Sequence, residues 1–167
     1  LHNWWYAQTM DQPRELFAGY IPGTIRSLKN SRRLVYPRLK GGVMTKPKFI
    51  PSKAYKKWEE QALASLIHQL QARKATGHRY PIEQPMWVKA YVVYSGNEPD
   101  LSNALEGVAD VLQRAGIIAD DKLIRSWDGS RKRHVSEVRR SDGSPASAGT
   151  AVWIYPFPEE DVVWEWV

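Results

Sequence analysis

Residues 86–127 read MWVKAYVVYSGNEPDLSNALEGVADVLQRAGIIADDKLIRSW, and the architecture follows from how they divide. Met86 to Tyr94 is dense in Val, Trp and Tyr, the composition of a strand buried on both faces and central in its sheet. Gly96, Asn97 and Pro99 end it. Asp100 is suited to cap a helix that is predicted to run to Gly116. Leu101, Leu105, Val108, Leu112 and Ala115 form its apolar stripe, while Asn103, Glu106 and Asp110 share another face. After Gly116, Ile117 to Trp127 turns back as a strand carrying Asp120-Asp121 near its start.

Upstream, Ser52 after Pro51 is an N-cap, and Tyr55, Trp58, Ala62, Leu66 and Leu70 recur at helical spacing up to Gly77. Phe17 to Thr24 reads as a first strand broken by Pro22-Gly23. Between them, Leu34-Val35-Tyr36 is a candidate strand, Gly41-Gly42 a turn and Lys46-Pro47-Lys48 a loop, together a positively charged hairpin or arm. Ser141 to Gly149 is a loop before a last strand, Ala151 to Tyr155, stopped by Pro156 and Pro158. The expected fold class is α/β (α+β): a single domain with a mixed β-sheet and two main helices packed on it. Its expected limits are 17–157, with an N-terminal extension over 1–16 and an acidic, Trp-containing tail over 158–167.

With 167 residues, 43% hydrophobic and 25% charged, the chain describes one ordinary globular domain. No apolar run approaches the roughly 18–20 residues of a membrane span, and no basic region precedes an apolar core as in a secretory signal. A soluble, cytoplasmic protein without membrane association is expected. The absence of cysteine excludes disulfides, thiolate zinc sites and a cysteine nucleophile, so a metal would bind oxygen or imidazole, which favours a hard ion such as magnesium or manganese. The histidines at 2, 68, 78 and 134 have no metal-ligand spacing. There is no Gly-rich phosphate loop and no nucleophilic serine motif.

Net charge is +6, unevenly spread. From Thr24 to Lys57 there are eleven Lys or Arg residues and no Asp or Glu. A second basic run, Arg131-Lys132-Arg133-His134, extends to Arg139-Arg140, and the chain ends acidic from Glu159 to Glu165. Clustered cations release counterions from phosphates and supply most of a non-specific affinity for nucleic acid. Lys29, Asn30, Arg32, Arg33, Lys46, Lys48, Lys53 and Lys56 are the candidate DNA contacts. A basic surface around carboxylates from two elements is what metal-dependent phosphodiester cleavage requires. Taken singly, Asp100 is a helix cap, Asp120-Asp121 a polar turn, and Glu106 and Asp110 a solvated helix face.

Together, Asp100-Leu101-Ser102-Asn103, Asp110, Ala115-Gly116 and Asp120-Asp121 resemble the signature of the RusA family of Holliday-junction resolvases, small phage and prophage endonucleases. The spacing from Asp100 to Asp121 matches without a gap. Ile21-Pro22-Gly23, Ser27-Leu28-Lys29-Asn30-Ser31-Arg32 and Ile50-Pro51-Ser52 also resemble phage members, so the resemblance covers about 17–157. It implies a RusA-like fold and a homodimer, in a bacterial or phage-infected cell, that binds four-way DNA junctions and makes paired magnesium-dependent cuts, with manganese as an alternative ion. In the family pattern the ligands are Asp-x-Asp before the helix and the second Asp of the later pair. Asp100 and Asp121 match the outer two, but Ser102 stands at the middle position and Glu106 where a basic residue is common.

These departures are expected to compensate, Glu106 reaching the metal from about one helical turn beyond Ser102. The expected catalytic set is therefore Asp100, Asp120, Asp121 and Glu106, of which Asp100, Asp121 and Glu106 bind metal and Asp120 orients water or adds a ligand. Ser102, Asn103 and Asp110 support that set by hydrogen bonding, and Lys29 or Arg32 replaces the missing lysine. Other functions stay open: a junction- or branched-DNA-binding protein on the same fold that does not cut, and a nuclease acting more broadly on flaps and branched intermediates. The aromatic ends, Trp4-Trp5-Tyr6 and Trp164-Glu165-Trp166, suit recruitment of a protein partner.

Overall fold

A computed structural model describes residues 14–37, 41–42 and 46–158. The aromatic ends, the acidic terminus, Arg38 and Lys40 lie outside the described residues. Seven strands and two long helices follow one another within them: β1 (Phe17–Pro22), β2 (Arg32–Val35), β3 (Lys48–Pro51), α1 (Lys53–Ala75), β4 (Met86–Tyr94), α2 (Leu101–Arg114), β5 (Ile124–Ser126), β6 (Arg131–His134) and β7 (Gly149–Pro156). The main sheet runs β1-β7-β4-β5, with β6 also paired to β4. β1, β7 and β4 are antiparallel neighbours, whereas β5 and β6 lie parallel to β4, at Met86–Trp87 and Tyr91–Tyr94 respectively. The result is a single domain of mixed sheet and two helices, an α+β fold.

Ser52 caps α1 by accepting the Tyr55 N–H, and Tyr55, Trp58, Ala62, Leu66 and Leu70 are its buried residues. α2 begins at its Asp100 cap and buries Ala104, Val108, Val111 and Leu112. Leu101 and Leu105 are only half-buried, so the buried stripe is turned from the expected one. β4 is central as expected, but it is not sealed equally on both faces. Met86, Val88, Ala90 and Val92 are fully buried in the core shared with both helices. Trp87, Lys89 and Tyr91 on the opposite face are half-buried. Side chains from neighbouring strands and the β6 edge cover that face: Trp87 lies 5.0 Å from Tyr155, Lys89 lies over Trp153 and Arg131 over Tyr91.

Three segments differ from the sequence reading. The second basic run is an edge strand, β6, with alternating exposure. The loop assigned around Lys48 is β3, which pairs antiparallel with β2 to make the basic arm. The strand expected from Ile117 is instead an isolated bridge between Ile118 and Ile82, a 3-10 turn at Asp121–Leu123 and the short β5. Asp120 Oδ1 accepts the Lys122 N–H at 2.9 Å, which closes that turn in place of sheet pairing. At the N-terminal end, Leu16 N–H donates to the Ile154 carbonyl and Glu15 pairs with Arg73 at 2.9 Å, so the domain's contacts reach back to Glu15. No helix among the described residues is long and apolar enough to cross a membrane.

Candidate metal and nucleic-acid groove

The β4–α2–β5 crossover sets the geometry. Because β5 starts beside Met86, α2 must run back along the sheet, so its first and last turns lie at opposite ends. Asp100 sits at the first. Its Oδ1 accepts the Ser102 N–H at 2.8 Å and the Ser102 hydroxyl at 2.7 Å. These bonds hold its carboxyl below the ordinary value, the Ser102 hydroxyl contributing most. Lys132 secures the approach to the helix, its Nζ donating to the Pro99 carbonyl at 2.8 Å and pairing with Glu98 at 2.8 Å.

At the opposite end, Asp121 opens the 3-10 turn, and its N–H donates to Gln113 Oε1 at 3.3 Å. Asp120 caps that turn, and the Lys122 N–H lowers its carboxyl's pKa. Gln113 is thirteen residues beyond Asp100, about 20 Å along the helix axis.

Between these ends, Gly107 lets the chain after β1 rest directly on α2. A Cβ at position 107 would stand 2.6 Å from the Arg26 carbonyl oxygen, so no other residue fits without displacing that backbone. The following turn is held by Asn30 N–H on Ser27 Oγ at 3.3 Å and Ser31 N–H on the Leu28 carbonyl at 3.2 Å. Ser52 N–H donates to the Ser31 carbonyl at 2.6 Å, tying the turn to the start of α1.

A groove of about 610 Å³ lies between this turn and α2. Ser27, Leu28, Lys29 and Arg32 form one wall; Ser102, Leu105, Glu106, Ala109 and Asp110 form the helical wall; Asp121, Ile124 and Trp127 close the end. Ser102, Glu106 and Asp110 are spaced four apart, so they make one stripe about 12 Å long. Asp110 is half-buried, and its carboxyl is pushed above the ordinary value, first by burial and then by the charges of Asp121, Glu106 and Glu59, against the opposing effect of Arg114. Arg114 and Glu59 form an ion pair, and the Tyr55 hydroxyl donates to Glu59 at 2.9 Å. Burial and that bond push the Tyr55 phenol far above its ordinary value.

Thus Glu106, Asp121, Ser102, Asp110, Lys29 and Arg32 share one groove. Asp100, Asp120 and Asn103 do not line it, and neither do Asn30, Arg33, Lys46, Lys48, Lys53 and Lys56, which are exposed on the arm, the preceding turn and the start of α1. Among the described residues, no three acidic or histidine side chains form a group able to hold an ion by themselves. The sequence reading did not assign Trp127, Ile124 or Leu28 to the site. Gly107 carried a signal, since glycine inside a helix costs about 1 kcal/mol relative to alanine and requires a reason. No protein-family model matches the chain, and no curated protein matches it.

Proposed function

We propose that the chain is a metal-dependent endodeoxyribonuclease that resolves four-way DNA junctions, acting as a homodimer in the cytoplasm of a bacterial or phage-infected cell. The observation that carries this reading is the groove in which Lys29 and Arg32 face Glu106, Asp110 and Asp121. Cations on one wall suit a phosphate backbone, and carboxylates on the other suit a hard cation. The motif resemblance to RusA resolvases adds the substrate class.

Magnesium is commonly held by one or two carboxylates, with substrate phosphates completing its shell. Spaced carboxylates opposite phosphate-binding cations fit an ion that arrives with DNA, and they do not need the preformed cage that the described residues lack. Glu106, Asp110 and Asp121 would hold magnesium or manganese; the ion would polarise the scissile phosphate and acidify water. The proton affinity of Asp110 is raised first by burial and less by Asp121, Glu106 and Glu59; a cation beside these carboxylates would relieve the part that comes from their repulsion. Lys29 and Arg32 hold the phosphate and offset charge that develops on it. Asp100 acts one step removed: it ties down Ser102 at the upper end of the helical wall. The arm lysines and arginines position the duplex without reading its sequence. A dimer would set two such grooves against two strands of a symmetric junction.

A second reading, a junction-binding protein that does not cut, is favoured because no three carboxylates group around an ion site among the described residues. The two are separated by incubating the protein with end-labelled four-way, three-way, flap and plain duplex DNA in magnesium, in manganese and in chelator. Nicks near the branch point of the four-way substrate in either metal, absent in chelator, are expected. Retention of the junction in gel shift without nicks in either metal selects the non-cutting protein, and equal cutting of flaps selects a broader nuclease.

A further inference from the structure

We propose that the exposed Leu34–Phe49 pair of the basic arm is a wedge that packs against unstacked bases at a DNA branch point, next to the groove. This inference rests on the DNA reading above and adds a function for a surface which that reading leaves unused. Leu34 and Phe49 are direct cross-strand partners in β2 and β3, so their side chains lie on the same face of the ribbon. Neither is covered: Leu34 is 44% exposed and Phe49 is 68% exposed. A two-stranded ribbon gains little stability by itself, and leaving its largest apolar pair in water gives up the burial that would normally hold it.

The surroundings specify the occupant. By strand alternation Arg32 lies on the same face as Leu34, two residues and about 7 Å along the ribbon, and Arg32 also lines the groove. A strand whose phosphate is held by Arg32 therefore presents a neighbouring nucleotide to the Leu34–Phe49 pair. Arg33 and Lys48 are exposed on the opposite face of the same ribbon, and residues 24–57 contain no acidic residue. A second copy of this face would bring cation against cation, whereas a polyanion with apolar flat faces, which is what an opened DNA branch offers, matches both the charge and the aromatic surface. Apolar side chains inserted at base steps unstack and kink DNA in this way, and base–aromatic stacking tolerates any sequence.

The test uses a four-way junction with 2-aminopurine at a branch-point nucleotide, bound without divalent metal by the wild-type protein, Phe49→Ala and Phe49→Trp. Wild type is expected to raise 2-aminopurine emission as the base leaves its stack. Phe49→Ala is expected to lose that rise and to bind the junction roughly tenfold more weakly, with duplex binding and thermal midpoint unchanged. Phe49→Trp is expected to restore both. If Phe49→Ala binds the junction and raises emission as wild type does, the wedge is overturned while the groove reading stands. If wild type binds no junction at all, both fall. Loss of self-association in sedimentation, or of binding to anionic phosphatidylserine vesicles, in Phe49→Ala with junction binding intact would assign the pair to a second copy or a lipid surface and overturn the wedge.

Discussion

Asp100 and Asp110 stand on the same helix ten residues apart, yet their surroundings give them opposite tasks. Asp100 is exposed at the helix entrance, with one oxygen committed to the Ser102 N–H and hydroxyl and its proton affinity lowered. Asp110 is half-buried along the groove, with its proton affinity raised by burial and by three neighbouring carboxylates. A carboxylate satisfied by backbone and hydroxyl donors stabilises the fold. One that is half-buried and held near like charges costs stability in its ionised form, and a bound cation would recover the part of that cost due to the charges. The difference teaches that the acidic charge lining the groove lies further down α2 than the Asp100 motif alone suggests.

The largest expected effect comes from disturbing the contact that builds the groove. Gly107→Val drives a branched side chain into the Arg26 carbonyl. It should cost about 1–3 kcal/mol, read as a lower denaturant midpoint, and should abolish junction cleavage by separating Lys29 and Arg32 from the acidic wall. A Gly107→Val protein that cuts at the wild-type rate would show that the two walls do not act together. Next in size, Asp100→Ala should lower Tm by a few degrees at neutral pH through loss of the cap, and Asp100→Asn should restore most of it.

Acid titration sharpens the contrast, because the two residues contribute with opposite sign. Asp100, depressed below 3.8, contributes stability that is present above that value and lost as pH falls through its lower folded value. The Tm deficit of Asp100→Ala should therefore shrink in acid. Asp110, raised above 3.8, penalises the folded state increasingly as pH rises from 3.8 through its higher folded value. Asp110→Asn should gain Tm relative to wild type over that same rise, and magnesium should stabilise wild type more than the variant. Matching pH profiles for the two variants would erase the distinction. The smallest effect belongs to the cationic wall: Arg32→Ala should reduce the slope of log affinity against log salt by about one.

Much of the framework was legible in the residues. Ser52 followed by apolar residues at helical spacing specified α1, and the Val- and aromatic-rich run specified β4, because capping and periodicity are local signals. β6 was not legible as a strand, since an exposed edge strand of Arg, Lys and His has no apolar period to reveal it. Asp120-Asp121 read as part of a strand, but a side chain bonding two residues on competes with sheet pairing, and the turn results. For the site, Glu106, Asp121, Lys29 and Arg32 were singled out from the motif and charge pattern, and they share the groove. The separation of Asp100 from Asp121 was not legible, because only the direction in which α2 returns along the sheet decides it. Nor was the place of Asp110 on the groove wall, which depends on the close approach that Gly107 permits.

The most direct test compares wild type with Asp121→Asn on a synthetic four-way junction in magnesium. That change keeps the side chain's shape and removes its charge. The account predicts that wild type nicks the junction near its branch point, and that Asp121→Asn binds it equally well but cuts at least about tenfold more slowly. Wild-type cleavage rates in Asp121→Asn, or no cleavage by wild type in either magnesium or manganese, would contradict it.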